Sequence, residues 1–205
     1  MGLCVLEGTG GGSNASTAKE MWAEQNITFV DKQFNLGNPA GGNTMYRGII
    51  SCDMSDVIPE GQNILFAVFS ATNGGAGGDS FISSVSGRTV NVDVGYSYNN
   101  GVYVTIRAYY LVSGSTVPFT INNATHYYDI GNQIGSNTTA RKDIDWCTVD
   151  TVLPPDAVIV GYGFYRLGNQ TGTIRNTGIT NRTPLFNIGY SYNYGVWFTV
   201  QAYYI

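Results

Sequence analysis

The chain repeats itself. Residues 87–111, GRTVNVDVGYSYNNGVYVTIRAYYL, overlie residues 181–205, NRTPLFNIGYSYNYGVWFTVQAYYI, at an offset of 94, and thirteen of the 25 pairs are identical. The same offset aligns Phe34-Asn-Leu-Gly-Asn38 with Tyr128-Asp-Ile-Gly-Asn132, and Asn43-Thr44 with Asn137-Thr138. Between these anchors an offset of 95 pairs Cys52 with Cys147, Pro59 with Pro154 and Ile64 with Ile159. Such self-similarity constrains a fold more than local propensity does, because both copies must suit one architecture. Two modules follow, 27–111 and 121–205, joined by a linker at 112–120 that contains Ser113-Gly-Ser115 and Pro118. The segment 1–26 precedes them, and its run Gly8-Thr-Gly-Gly-Gly-Ser13 reads as a flexible attachment. Within it, Ala18–Glu24 is expected to form a short helical turn.

Period-two alternation identifies the modules as β. Val102, Val104, Ile106 and Ala108 fall on one side of a strand, with Tyr103, Thr105, Arg107 and Tyr109 on the other. In the second copy Val196, Phe198, Val200 and Ala202 face in, while Trp197, Thr199, Gln201 and Tyr203 face out. Val90–Val94 alternates as well. Tyr98-Asn-Asn-Gly101 and its copy Tyr192-Asn-Tyr-Gly195 carry turn residues, so a β-hairpin is expected to end each module. Further strands are expected at 45–51, 63–70 and 79–85, with counterparts at 140–146, 158–165 and 173–179. The fold class is therefore all-β, as two tandem β-sandwich, jelly-roll-like modules.

Composition narrows the function. Charged residues make up 12% of the chain and the net charge is −4, without a Lys/Arg cluster, so nucleic-acid binding is not expected. Neither a membrane-spanning run nor a secretory signal is apparent in the sequence, and membrane insertion is not expected. Cys4, Cys52 and Cys147 lack metal-ligand spacing; they read as free, buried thiols, and no metal or cofactor is expected. The only histidine, His126, matches Lys32 in the first copy and reads as a surface or linker side chain. Asp53 and Asp56, with Asp143, Asp145 and Asp150, could supply carboxylate pairs for glycoside hydrolysis, but they read first as turn-flanking residues. Gly74-Gly-Ala-Gly-Gly78 lacks the Lys-Ser/Thr of a phosphate loop and reads as a loop tip. No catalytic residue is assigned.

The stronger functional signal is aromatic. Tyr96, Tyr98, Tyr109 and Tyr110 recur as Tyr190, Tyr192, Tyr203 and Tyr204, and Trp197 replaces Tyr103. Rings with polar tips beside Asn suit carbohydrate or protein recognition. The candidate ligand-binding set is Tyr98, Asn99, Tyr103, Tyr109, Tyr192, Asn193, Tyr194, Trp197 and Tyr203. The competing reading is that these rings pack between modules or subunits. Arg88 and Arg182 are equivalent, and each either fixes a turn through carbonyls or binds a ligand carboxylate, the first being favoured.

Poor in charge, rich in Gly, Asn, Thr and Tyr, and closing on the strand Ala202-Tyr-Tyr-Ile205, the chain resembles in style the tip modules of bacteriophage tail fibres and receptor-binding proteins. That resemblance implies a virion or extracellular location and a homo-oligomer, with a trimer favoured. It also implies a cell-surface glycan or protein receptor as partner, bound without catalysis. A stand-alone lectin and a structural virion or surface subunit without ligand are the alternatives.

Overall fold

The computed structural model describes residues 14–37, 48–73, 80–94, 102–131, 142–144, 148–168, 174–180, 182–188 and 196–205. Among the described residues one helix, α1 (Asn14–Asn26), leads into twelve strands. The first half holds β1 (Ile27–Gly37), β2 (Gly48–Asp53), β3 (Ile64–Asn73), β4 (Ser80–Ser86), β5 (Thr89–Val94) and β6 (Val102–Leu111). The second half holds β7 (Asn122–Gly131), β8 (Lys142–Ile144), β9 (Ile159–Gly168), β10 (Ile174–Thr180), β11 (Thr183–Ile188) and β12 (Val196–Tyr204). The protein is all-β apart from the helix. That helix is longer than the turn expected at 18–24.

All pairings are antiparallel, and they repeat between the halves. β6 lies between β1 and β3, as β12 lies between β7 and β9. β5 lies between β2 and β4, as β11 lies between β8 and β10. Even the irregularities recur: Phe69 opposite Ile106 is followed by Ala71 opposite Thr105, and Phe164 opposite Val200 by Arg166 opposite Thr199.

The halves do not stand apart as beads. β4 continues onto β9 through Ser80 opposite Leu167, and β10 continues onto β3 through Ile174 opposite Thr72. Two six-stranded ribbons result, β2-β5-β4-β9-β12-β7 and β8-β11-β10-β3-β6-β1, joined where Phe69 meets Phe164. Each ribbon takes three strands from either side of the linker.

Two expectations need correction. The hairpin between Val90–Val94 and Val102–Tyr109 does not form, nor does its copy, because β5, β6 and β12 each already have both edges occupied, as does β11. Tight hairpins instead join β4 to β5, where Ser86 faces Thr89, and β10 to β11, where Thr180 faces Thr183. Gly87 turns the first with φ 56°, a conformation open to glycine, and Arg182 turns the second with φ 60°. The expected turns at 98–101 and 192–195 lie outside the described residues. β1 and β7 were not among the expected strands. Lys32 and His126 interrupt their inward apolar sets, between Val30 and Phe34 in β1 and between Ala124 and Tyr128 in β7.

The main core lies inside the ribbons and draws on both halves: Phe69, Val92 and Ile106 from the first, Phe164, Phe186 and Phe198 from the second. The three second-half rings contact one another at 4.7–5.2 Å between centroids. A smaller cluster covers the opposite side of β3 and β6, where Phe66, Val68 and Tyr109 meet Ala23 of α1 and Val158, Val160 and Ile205. Tyr109 lies on the face expected, away from the main core, but that second cluster corrects its expected exposure: it is only 2% exposed. A side chain on the face away from the main core is buried here because another layer covers it.

Cys52 is a free, buried thiol, as expected; Cys4 and Cys147 lie outside the described residues. Burial pushes its pKa from an ordinary 9.0 up to about 11, with the Lys32 ammonium pulling weakly the other way. The folded state therefore holds this proton more tightly than the unfolded chain. Its contribution to stability is complete below about pH 9 and is lost as pH rises towards 11. Urea midpoints measured from pH 8 to pH 11 should fall less steeply for Cys52→Ala than for the parent; parallel curves would refute the assignment.

Candidate functional site

The outward face of the first ribbon carries an aromatic strip. Tyr127 on β7 and Trp197 on β12 lie 5.9 Å apart between ring centroids, and Tyr165 on β9 lies 6.1 Å from Phe81 on β4. Tyr127 is 55% exposed, the most open aromatic among the described residues, and the other three are half-buried. The strip crosses four neighbouring strands, a span of about 15 Å at roughly 4.8 Å per strand. The pairing register aims it outward: Tyr127 faces Thr199 and Asp129 faces Trp197, all on the side away from Phe198 and Val200. Tyr165 occupies the irregularity between Phe164 and Arg166, which turns its ring onto the same face.

The sequence-predicted residues divide among several places. Trp197 belongs to the strip. Tyr103, 36% exposed, lies on the other ribbon, where its hydroxyl accepts from Asn35 Nδ2 at 3.3 Å. Tyr109 is in the smaller core cluster. Tyr203 is half-buried, its ring 4.0 Å from that of Phe66 and its hydroxyl donating to Gln201 Oε1 at 3.1 Å. Burial raises its pKa to about 12, with Tyr165 adding to the shift. Packing between halves, the competing reading of the tyrosines, accounts for Tyr109 and Tyr203. Tyr98, Asn99, Tyr192, Asn193 and Tyr194 lie outside the described residues. Tyr127, Tyr165 and Phe81 were missed; they have no aromatic counterpart in the other copy, where Gln33, Ser70 and Arg175 stand, so a search for recurring rings passes over them.

The polar candidates serve the fold. Asp53 accepts from Ser55 N and Ser55 Oγ, both at 2.9 Å, and those bonds hold its pKa below the usual value. Asp56 pairs with Lys32 Nζ at 2.5 Å, which lowers its pKa too. His126, at the position matching Lys32, sits 3.3 Å from Thr151, at the position matching Asp56. Asp150 lies 2.5 Å from Arg182 Nε. Asp143 is on β8, while Asp145 and the Gly74–Gly78 run lie outside the described residues. Arg88 donates to the carbonyls of Ser55 and Ile58, and Arg182 to those of Pro154, Pro155 and Ala157. Both arginines clasp turns. Among the described residues no three His, Cys, Asp or Glu side chains gather as metal ligands, and no helix is long and apolar enough to cross a membrane.

No protein-family model, curated protein or solved structure matches the chain.

Proposed function

We propose that the chain is a non-catalytic recognition protein of a phage particle, binding a host-surface receptor through the Tyr127–Trp197–Tyr165–Phe81 strip. A glycan is the favoured receptor. One observation carries the reading: exposed and half-buried rings line one continuous sheet face, beside the polar side chains of Asp129 and Thr199. Sugar rings present apolar C–H faces bordered by hydroxyls, and such a surface offers both matching chemistries. Of the carboxylates that could have served hydrolysis, Asp53, Asp56 and Asp150 are engaged by partners within the fold, which supports recognition. The repeated strand order and registers support reading 27–111 and 121–205 as copies of one β-sandwich module.

In this reading the particle tip is a homo-oligomer, with a trimer favoured. β1 and β7, eleven and ten residues long, each have one strand neighbour among the described residues, so their outer edges suit contacts between copies. The test has two parts. Glycan-array and cell-binding signal should fall roughly thirtyfold in Trp197→Ala/Tyr127→Ala, since a central aromatic contact is worth about 2 kcal/mol. The variant should keep the parent's circular dichroism. Unchanged binding would remove the strip as the receptor site. Light scattering should give a stable trimer; a monomer at every concentration would favour the stand-alone lectin.

A further inference from the structure

The ribbons share their pairing registers, but their outer faces differ in chemistry. Where the first ribbon carries Phe81, Tyr165, Thr125 and Gln201, the second carries Arg175, Ser70, Asp31 and Arg107 at the matching positions. These four, with Gln33 and Thr105, line an open cleft of about 340 Å³. That volume is at the small end for ligand sites, which run from roughly 300 to 1,000 Å³, and suits a single sugar ring.

The cleft has an organised floor and an exposed rim. Arg107 donates from Nε and Nη2 to the two oxygens of Asp31, at 2.9 and 2.8 Å, and its guanidinium lies 4.0 Å from the Phe29 ring centroid. The Ser70 hydroxyl donates to the same carboxylate at 3.3 Å. Arg175 enters from β10 opposite Ala71 and is exposed, with no hydrogen bond or ion pair among the described residues. The floor pair is neutral, so Arg175 leaves the cleft with one net positive charge.

Strand pairing does not require these charges. The second half holds the same β1/β6-type and β3/β6-type registers with Thr125 and Gln201 in place of Asp31 and Arg107. An exposed guanidinium above a hydrogen-bonding floor fits a ligand with one carboxylate and several hydroxyls. The neighbouring Asp31 carboxylate can accept from those hydroxyls and disfavours a doubly charged phosphate. We infer that this cleft is a second binding site, for an acidic saccharide, with its carboxylate on Arg175 and its hydroxyls on Gln33, Ser70, Thr105 and Asp31. The inference does not depend on the aromatic strip, which faces out from the other ribbon.

The test is titration of the full-length protein with glucuronate, glucose and acetate, followed by calorimetry and backbone amide shifts. Glucuronate should saturate, with shifts centred on residues 31, 70, 105 and 175, and glucose and acetate should each bind at least about tenfold more weakly. Arg175→Ala, an exposed change, should weaken glucuronate about tenfold or more. Asp31→Thr/Arg107→Gln installs the residues that the second half already tolerates and should also lose binding while remaining folded. Trp197→Ala should bind glucuronate like the parent. The inference is overturned by absent saturation, by glucose or acetate matching glucuronate, or by Arg175→Ala retaining full affinity. A loss in Trp197→Ala would place the site on the other face and overturn it as well.

Discussion

Phe66→Ala is expected to destabilise the protein by about 3–5 kcal/mol, the cost of emptying a buried aromatic site. Phe66 is 3% exposed, and its ring stacks between Tyr109 at 4.6 Å and Tyr203 at 4.0 Å. Tyr109 and Tyr203 are matching residues in the two halves, yet Phe66 matches Gly161. A Cβ added to Gly161 would stand 2.4 Å from Phe66 Cε2. Phe66 therefore fills the space that a second large side chain would need. The next inward step repeats the arrangement, with Val68 against Gly163, where a Cβ would meet Val68 Cγ2 at 2.5 Å and the Phe69 carbonyl at 2.8 Å. Gly163→Ala should cost more than Gly161→Ala, because a backbone oxygen cannot swing aside as a ring can. About 3 kcal/mol is expected, at the upper end for overpacking. Urea denaturation of Phe66→Ala, Gly161→Ala and the double variant checks the pairing. The double variant should be more stable than the sum of the single losses, since the new methyl occupies vacated space. Strict additivity would show that the two positions do not compete for one volume.

That asymmetry explains what the sequence could and could not disclose. Alternation made β6 and β12 legible, because Val104, Ile106 and Ala108 and their counterparts form unbroken inward sets. The strands expected at 63–70 and 158–165 correspond to β3 and β9, where apolar residues lie on both faces: Ala67 and Phe69 in the main core, Phe66 and Val68 in the smaller cluster. β1 and β7 were hidden by Lys32 and His126, inward-side residues that reach polar partners at the sheet rim instead of entering the core. The false hairpin came from reading Asn and Gly as evidence for pairing between the strands that flank them. Turn residues allow a reversal but do not choose which edges bond. Tyr109 shows a further limit: period two separates two faces and cannot say that both are covered. Repetition does not disclose the aromatic strip. Tyr127, Tyr165 and Phe81 occur where the copies differ, as do Asp31, Arg107 and Arg175 in the charged cleft. Residues common to both copies, such as Arg88 and Arg182, instead serve the architecture.

Arg182→Ala should accordingly cost about 2–3 kcal/mol, without any ligand present. Its guanidinium donates to Pro154 O at 2.9 Å and to Pro155 O and Ala157 O, both at 3.3 Å. Its own carbonyl accepts from Val149 N at 3.1 Å. The Asp150 pair adds little, because that carboxylate is 55% exposed and water screens it. Most of the loss comes from the carbonyls of the 154–157 turn, which the planar fork gathers at once. Lysine has no such fork, so Arg182→Lys should recover less than half of the loss. Backbone conformation supplies an internal control. At φ 60° an alanine carries strain of about 1–2 kcal/mol that glycine avoids. Arg182→Gly should therefore be more stable than Arg182→Ala although neither retains the clasp. Arg88→Ala, losing bonds to two carbonyls rather than three, should cost less than Arg182→Ala. Thermal and urea unfolding of the four variants would test the order. If both alanine variants fall within about 0.5 kcal/mol of the parent, the arginines are not clasps, and their recurrence in both halves would have to come from binding a ligand carboxylate.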